Sequence, residues 1–329
     1  MIKKIALEEH FQLPAYNPEP DSILGKITEG SYLAELGRRL GDPAIRLAEM
    51  DQAGVELAVL SLTTPGIQGE PDPREAVRRA RQMNDELFEK FVRPHPSRFA
   101  GFAAIPLQDP HAASAELTRA VQELGYKGAM INGYSQIRDA QTVEYLDEER
   151  LLPFWETVAR LEVPVYLHPR MPMLGQRRIY DGYPVLLGSA WGFGVETATH
   201  ALRLVMSGLF DRFPGIQLVL GHFGETIPFA AARIDQRLQF HTREHRGKQQ
   251  LRVSDYLKRN FYFTTSGFCH NPALINTLGE VGADRVMFSA DYPFESLPGA
   301  AQWFEKAPLS EADRTRIAYE NARRLLKLR

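Results

Sequence analysis

The chain has 329 residues, 44% of them hydrophobic and 24% charged, with a formal net charge of -2. That composition excludes a disordered chain, and without a basic surplus neither nucleic acid nor an anionic membrane is expected as the main partner. The single cysteine, Cys269, rules out an intramolecular disulfide framework and fits a reducing compartment. No apolar run reaches the ~20 residues of a membrane span. The opening MIKKIALEEHF has neither the apolar core nor the small-residue cleavage site of a signal peptide. The expectation is a cytoplasmic enzyme or binder forming one domain over residues 1–329.

In chain order, short β-rich runs alternate with helical patterns. A strand is expected at 2–10, followed by a long segment at 11–41 that holds Pro14, Pro18, Pro20, Gly25 and Gly30. A helix over 42–54 opens with Asp-Pro and ends at glycine, as a capped helix should. Strand 55–62 leads to helix 72–92, and strand 98–105 to helix 109–125; both helices repeat the Asp-Pro opening. Then come strand 127–132, helix 151–162 and strand 163–168. A second long connection, 169–192, leads to helix 193–213. The remaining pairs are strand 216–222 with helix 225–245, strand 261–266 with helix 271–282, and strand 285–291 with helix 311–328. Eight such pairs predict an α/β fold, the (β/α)8 or TIM barrel, with long loops after strands one and five. An open doubly wound sheet would carry a glycine-rich phosphate loop after its first strand, and ALEEHFQLP is nothing like one.

In such a barrel, chemistry sits at the C-terminal ends of the strands. Polar or titratable residues stand at several of those ends: Glu8 and His10, Asn132, His168, His222 with Glu225, and Asp291. A period of two along the first strand puts Glu8 and His10 on one face and Glu9 on the other. With Ala6, Glu8 and His10 in the lumen, Ile5, Leu7 and Glu9 face the helices. Glu8, His10, His168 and Asp291 could then converge, and two carboxylates with two neutral imidazoles suit zinc or manganese; taken alone, Glu8 also fits a salt bridge to an interior arginine and His10 a hydrogen-bonded core histidine. His222 and Glu225, at the expected start of a helix, suit a proton-handling pair in which the carboxylate raises the imidazole pKa; the alternative for Glu225 is a helix N-terminal carboxylate favoured by the macrodipole. Asn132 is either a substrate hydrogen bond or a turn former. Arg170 either meets a substrate carboxylate or braces a loop. Arg233 lies two turns into its helix and reads as a solvent or interface charge. Glu196 and His200 are four apart on a helix and read as structural. Cys269 has no base partner.

ALEEHF (6–11), VYLHPR (165–170), LGHFGE (220–225) and SADYPFE (289–295) together resemble the amidohydrolase superfamily. More narrowly, they are similar to its metal-dependent, non-oxidative decarboxylases, the group of amino-carboxymuconate-semialdehyde decarboxylase, and within it to the γ-resorcylate (2,6-dihydroxybenzoate) branch. The stretches LSLTTPGIQ (60–68), PLQDP (106–110), NGYSQ (132–136), RIYDGYPVLLGSAW (178–191), ETATHALRL (196–204), TTSG (264–267) and NARRLLKL (321–328) extend the likeness over nearly the whole chain. The resemblance implies reversible decarboxylation of an ortho-hydroxylated benzoate. It implies one divalent metal, Zn2+ or Mn2+, on Glu8, His10, His168 and Asp291, with no organic cofactor. Asp291 would protonate the ring, assisted by His222 and Glu225. Asn132 and Arg233 match substrate-contact positions, the arginine acting across a subunit interface in a homotetramer or dimer. The chain departs from the branch at 21–32, where relatives carry a phenylalanine near the ring and this sequence offers Ile23, Leu24, Ile27 and Tyr32.

Three kinds of alternative follow, one of them a non-catalytic metal or aromatic-acid binding protein that retains the barrel, against which the set of Asp291, His222 and Glu225 argues. The same chemistry could serve 2,3-dihydroxybenzoate, salicylate or a related acid. A metal-dependent hydrolase of lactones or cyclic amides would share the barrel, but many of these carry His-x-His on strand one, and their two-metal members a lysine ending strand four. Here strand one reads Glu-x-His, and Lys127 stands at the wrong end of strand four.

Overall fold

In the computed structural model, which describes residues 2–12 and 23–328, the eight predicted strands pair in parallel around a closed barrel. They are β1 (Lys4–Phe11), β2 (Val55–Leu62), β3 (Phe99–Gly101, resuming at Ala103–Ala104), β4 (Ala129–Asn132), β5 (Val165–His168), β6 (Leu218–Leu220), β7 (Phe261–Thr264) and β8 (Val286–Met287). Each pairs with the next in sequence. Closure between the last strand and the first is made just past β8. Glu9 bridges to Tyr292, His10 N donates to Tyr292 O at 2.7 Å, and Asp291 N donates to Glu8 O at 3.1 Å. The bonds that close the barrel therefore also bring Asp291 beside Glu8.

The helices form where their caps are written. Asp42, Asp72 and Asp109 each accept two backbone N–H groups of the first turn, with proline in that turn supplying a preset φ. These open the helices Pro43–Ala53, Pro73–Leu87 and Pro110–Gln122. The large core lies between the strands and this helical layer. A second cluster fills the lumen, with Ile5, Leu7, Val59, Phe102, Met130, Tyr166, Val219, Tyr262 and Met287 supplied strand by strand. Among the described residues, no helix is long and apolar enough to cross a membrane.

Strict alternation along β1 fails, and the register says why. Ala6 stands opposite Ala58 but Glu9 opposite Leu60, so three steps of β1 match two of β2. This bulge resets the parity of the strand. Ile5 and Leu7 point into the lumen and Ala6 into the outer core, the reverse of the expected assignment. Beyond the bulge, Glu8 and His10 point inward and Glu9 outward, as expected.

Other boundaries also moved. The expected loop 11–41 contains two helices, Ile23–Ile27 and Gly30–Gly41. Its Pro14, Pro18 and Pro20 lie outside the described residues, and nothing is described of the Ile23 and Leu24 side chains. The helix expected at 225–245 runs only over Ile227–Leu238. Two further helices were not anticipated. Val253–Asn260 has its first N–H groups capped by Asp235, far away in sequence, with Val253 N donating at 2.7 Å. In Leu297–Lys306, Pro298-Gly299 reads locally as a turn, yet Ser296 caps it by accepting from Gly299 N.

Candidate active site

Strand ends bring Glu8, His10, His168 and Asp291 together from far apart in sequence. One donor atom from each lies within 4.8 Å of all the others. His10 Nε2 is 3.2 Å from Asp291 Oδ1, and His168 Nε2 is 3.3 Å from Glu8 Oε1. The two imidazoles meet edge to face with centroids 4.5 Å apart. Glu8 Oε1, His10 Nε2 and Asp291 Oδ1 are all buried without a hydrogen-bond partner. Buried oxygen and nitrogen lone pairs facing one another are costly unless a cation lies among them. The residues present therefore fit a divalent metal on two nitrogens and two oxygens.

The surroundings prepare each donor. β4 and β5 set Asn132 directly opposite His168. His168 Nδ1 donates to Asn132 Oδ1 at 2.7 Å, which leaves the Nε2 lone pair facing the cluster. Burial and the neighbouring His10 hold His168 below the ordinary histidine value, so it is neutral. For Glu8, burial raises the carboxyl pKa, but the neighbouring imidazoles, His222 first, outweigh it and the net direction is down. Asp291 behaves alike, with burial opposed successfully by His10 and His222.

His222 and Glu225 do not begin a helix as expected. β6 stops at Leu220, and residues 222–226 all have positive φ, from 51° at His222 to 83° at Gly224. Left-handed backbone at non-glycine residues costs about 1–3 kcal/mol each and collects at functional sites. Here it turns His222 back over the barrel mouth. His222 Nδ1 lies 2.7 Å from Glu225 Oε1, and its Nε2 lies 3.6 Å from Asp291 Oδ2 and 4.0 Å from Glu8 Oε1. Burial disfavours the imidazolium, but Glu225 and Glu8 reverse this and raise His222 well above its usual value. Asp291 is itself at φ 74°. Gly267, at φ 62°, keeps the approach open, since a Cβ there would meet His222 Nε2 at 3.0 Å and Asp291 Oδ2 at 3.2 Å.

Of the residues expected to contact substrate, Asn132 and Arg170 have partners within the chain and Arg233 faces solvent. Asn132 spends its amide on His168 and on Leu62 O, to which Nδ2 donates at 3.2 Å; it orients a histidine instead of facing a ligand. Arg170 is buried, donating to Tyr134 O at 2.6 Å and stacking 4.0 Å over the Tyr134 ring, so it braces the loops. Arg233 is exposed on helix Ile227–Leu238. His200 and Glu196 are structural, accepting from Leu146 N at 2.9 Å and Tyr145 Oη at 2.7 Å. Tyr32 donates to Phe294 O at 3.2 Å, docking the helix Gly30–Gly41 on the segment after Asp291.

The partners of Glu9, expected only to face outward, and several supporting residues were not legible. Glu9, lifted to about 8 by burial, accepts from Ser289 Oγ at 3.0 Å and Ala290 N at 3.1 Å, tying β1 to the end of β8. Arg46 is fully buried behind the site, donating to His10 O and stacking 4.3 Å from the Tyr292 ring centre. Tyr166 and Ser266 both donate to Glu8 Oε2. Tyr166 had a signal, standing two residues before His168 on the same face of β5; Arg46 in its helix had none. Lys127 lies below β4, its N donating to Gly101 O at 2.9 Å, away from the strand ends that carry the cluster.

The chain belongs to the amidohydrolase family, whose model matches residues 10–328. It is 47% identical over 329 residues to the gamma-resorcylate decarboxylase of Rhizobium sp. (strain MTP-10005), covering 100% of this chain and 99% of the relative. A crystal structure of 2,6-dihydroxybenzoate decarboxylase complexed with 2,6-dihydroxybenzoate superposes with a TM-score of 0.95 at 46% identity, covering 100% of both chains. The dihydroxybenzoic acid decarboxylase of Polaromonas sp. JS666, solved with bound manganese and the inhibitor 2-nitroresorcinol, superposes at 0.94 with 45% identity, covering 100% of this chain and 98% of that one.

Proposed function

We propose that the protein is a metal-dependent, non-oxidative decarboxylase that converts 2,6-dihydroxybenzoate to resorcinol and CO2, reversibly. The carrying observation is the buried cluster of Glu8, His10, His168 and Asp291 with inward atoms that lack partners, beside the charged His222–Glu225 pair. Full-length relatives at 47% identity that are named gamma-resorcylate decarboxylases support the substrate. Glu8, His10, His168 and Asp291 would hold the metal. Their donor set suits Mn2+ or Zn2+, and manganese in solved relatives favours the former. A bound divalent cation supplies positive charge that neutralises the adjacent oxygens of the substrate.

Direct loss of CO2 from the ring would leave an aryl anion, so the ring carbon must be protonated first. The two oxygens of Asp291 divide the work. Oδ1 faces His10 and the ligand cluster, whereas Oδ2 faces His222. The carboxylate is ionised at rest and accepts the proton of an ortho hydroxyl. It then delivers that proton to the carbon bearing the carboxylate, as the phenolate oxygen pushes an electron pair into the ring. The bond to CO2 breaks, its electron pair restores aromaticity, and solvent returns the phenol proton. His222, held charged by Glu225, stabilises the ionised carboxylate and the negative charge gathering on the phenolate. No organic cofactor is required.

Asp291→Asn keeps the shape but cannot transfer the proton, and kcat should fall by ~10³-fold. Near-normal kcat in that variant would sink the mechanism.

The protein is further proposed to be a cytoplasmic homo-oligomer, a dimer or tetramer. Large apolar side chains stand exposed at Ile179, Tyr183, Trp191 and Phe229. Phe229 and Arg233 are one turn apart on one helix, so a subunit covering Phe229 would receive Arg233 as well.

A further inference from the structure

Glu8 has two carboxylate oxygens in different surroundings. Oε1 is buried without a partner and faces His168. Oε2 accepts from both Tyr166 Oη and Ser266 Oγ. Thr264 Oγ1 lies 2.7 Å from Tyr166 Oη and 2.9 Å from Ser266 Oγ, and since both of those protons go to Glu8, its own single proton is donated to one of the two oxygens. Ser266 Oγ also accepts from the backbone N of His222 at 3.2 Å. All four residues are fully buried, and they come from β1, β5 and the end of β7. Gly221 belongs to the same arrangement, because a Cβ there would stand 2.9 Å from Ser266 Oγ and closer still to Glu8 Oε2.

We infer that Tyr166, Thr264 and Ser266 form a positioning cluster that fixes Glu8 as a one-oxygen metal ligand and so sets the affinity of the site for its cation. The inference rests on the metal-site reading above. Its physical content is that hydroxyls are neutral donors. They satisfy Oε2 without cancelling the carboxylate charge, as a lysine or arginine would, so the group stays anionic and Oε1 keeps its lone pairs free. With Oε2 engaged twice, the carboxylate can neither rotate nor present both oxygens. Partners that orient a ligand in this way are worth about 10–100-fold in metal affinity. The cluster also ties the ligand to the backbone of the His222 turn.

The test is the Mn2+ dissociation constant of the full-length metal-free protein, measured by chelator competition, with the melting temperature of the same metal-free samples. Tyr166→Phe keeps the ring in the lumen and removes only the hydroxyl; Ser266→Ala provides the second removal should the first variant misfold. A folded variant of either kind is expected to bind Mn2+ ~10-fold more weakly, while its metal-free melting temperature falls by no more than about a few degrees, the cost of one hydrogen bond lost to a buried carboxylate. Wild-type affinity in the folded variants overturns the inference, as does weaker binding accompanied by a larger loss of metal-free stability. Failure of the wild-type protein to bind Mn2+ would instead overturn the metal-site reading, and the inference with it.

Discussion

His222 is pulled in two directions. Burial disfavours its charge, while Glu225 at 2.7 Å and the nearby Glu8 favour it, and the raised pKa records which side prevails. A group whose charged form is needed loses its contribution as pH rises through its pKa. On the proposed mechanism, then, kcat/KM falls on the alkaline side as His222 deprotonates. Glu225→Gln removes the first-named support of that charge. The alkaline limb of the pH profile should move to lower pH by about one unit or more. An alkaline limb that stays in place or moves upward would contradict this role. The same scale shows what residue identity alone conveys. Glu8, His10, His168 and Asp291 could be matched to a metal because each ends an apolar strand and their chemistry agrees. Asn132 and Arg170 could not be resolved between two readings, since either is consistent with its local sequence. Only the register of β4 on β5 aims Asn132 at His168, and the partners of Arg170, among them Tyr134, Gln68 and Gln136, come from elements distant in sequence.

At the scale of elements, regular signals carried far. The Asp-Pro caps located three helices to within a few residues, and the eight apolar runs became the eight strands. What failed was whatever depended on another element. The β1 bulge exists because β2 imposes a register, so alternation correctly separated Glu8 from Glu9 but misassigned Ala6, Ile5 and Leu7. Helix Val253–Asn260 has two of its first N–H groups satisfied by Asp235 on a different helix. The left-handed run 222–226 breaks the local preference of His, Phe, Glu and Thr, and only the packing around the barrel mouth maintains it. Departures of this kind are most concentrated where the site lies, around His222 and Asp291.

For the whole molecule, the barrel explains how donors spread from residue 8 to residue 291 reach one point, and the bonds that close it place the last donor beside the first. Its outer surface makes a separate prediction. With Ile179 and Phe229 each 80% exposed, burial in a self-association interface is expected. Sedimentation at micromolar concentration should give a dimer or tetramer, and a monomer would contradict the proposed assembly. The central claim is metal-dependent decarboxylation, and it is tested most directly by following 2,6-dihydroxybenzoate with enzyme stripped of metal and then reconstituted. The account predicts no turnover in the stripped protein, and resorcinol and CO2 in equal amounts once Mn2+ is restored. Undiminished turnover without metal, or no CO2 from the reconstituted enzyme, would contradict it.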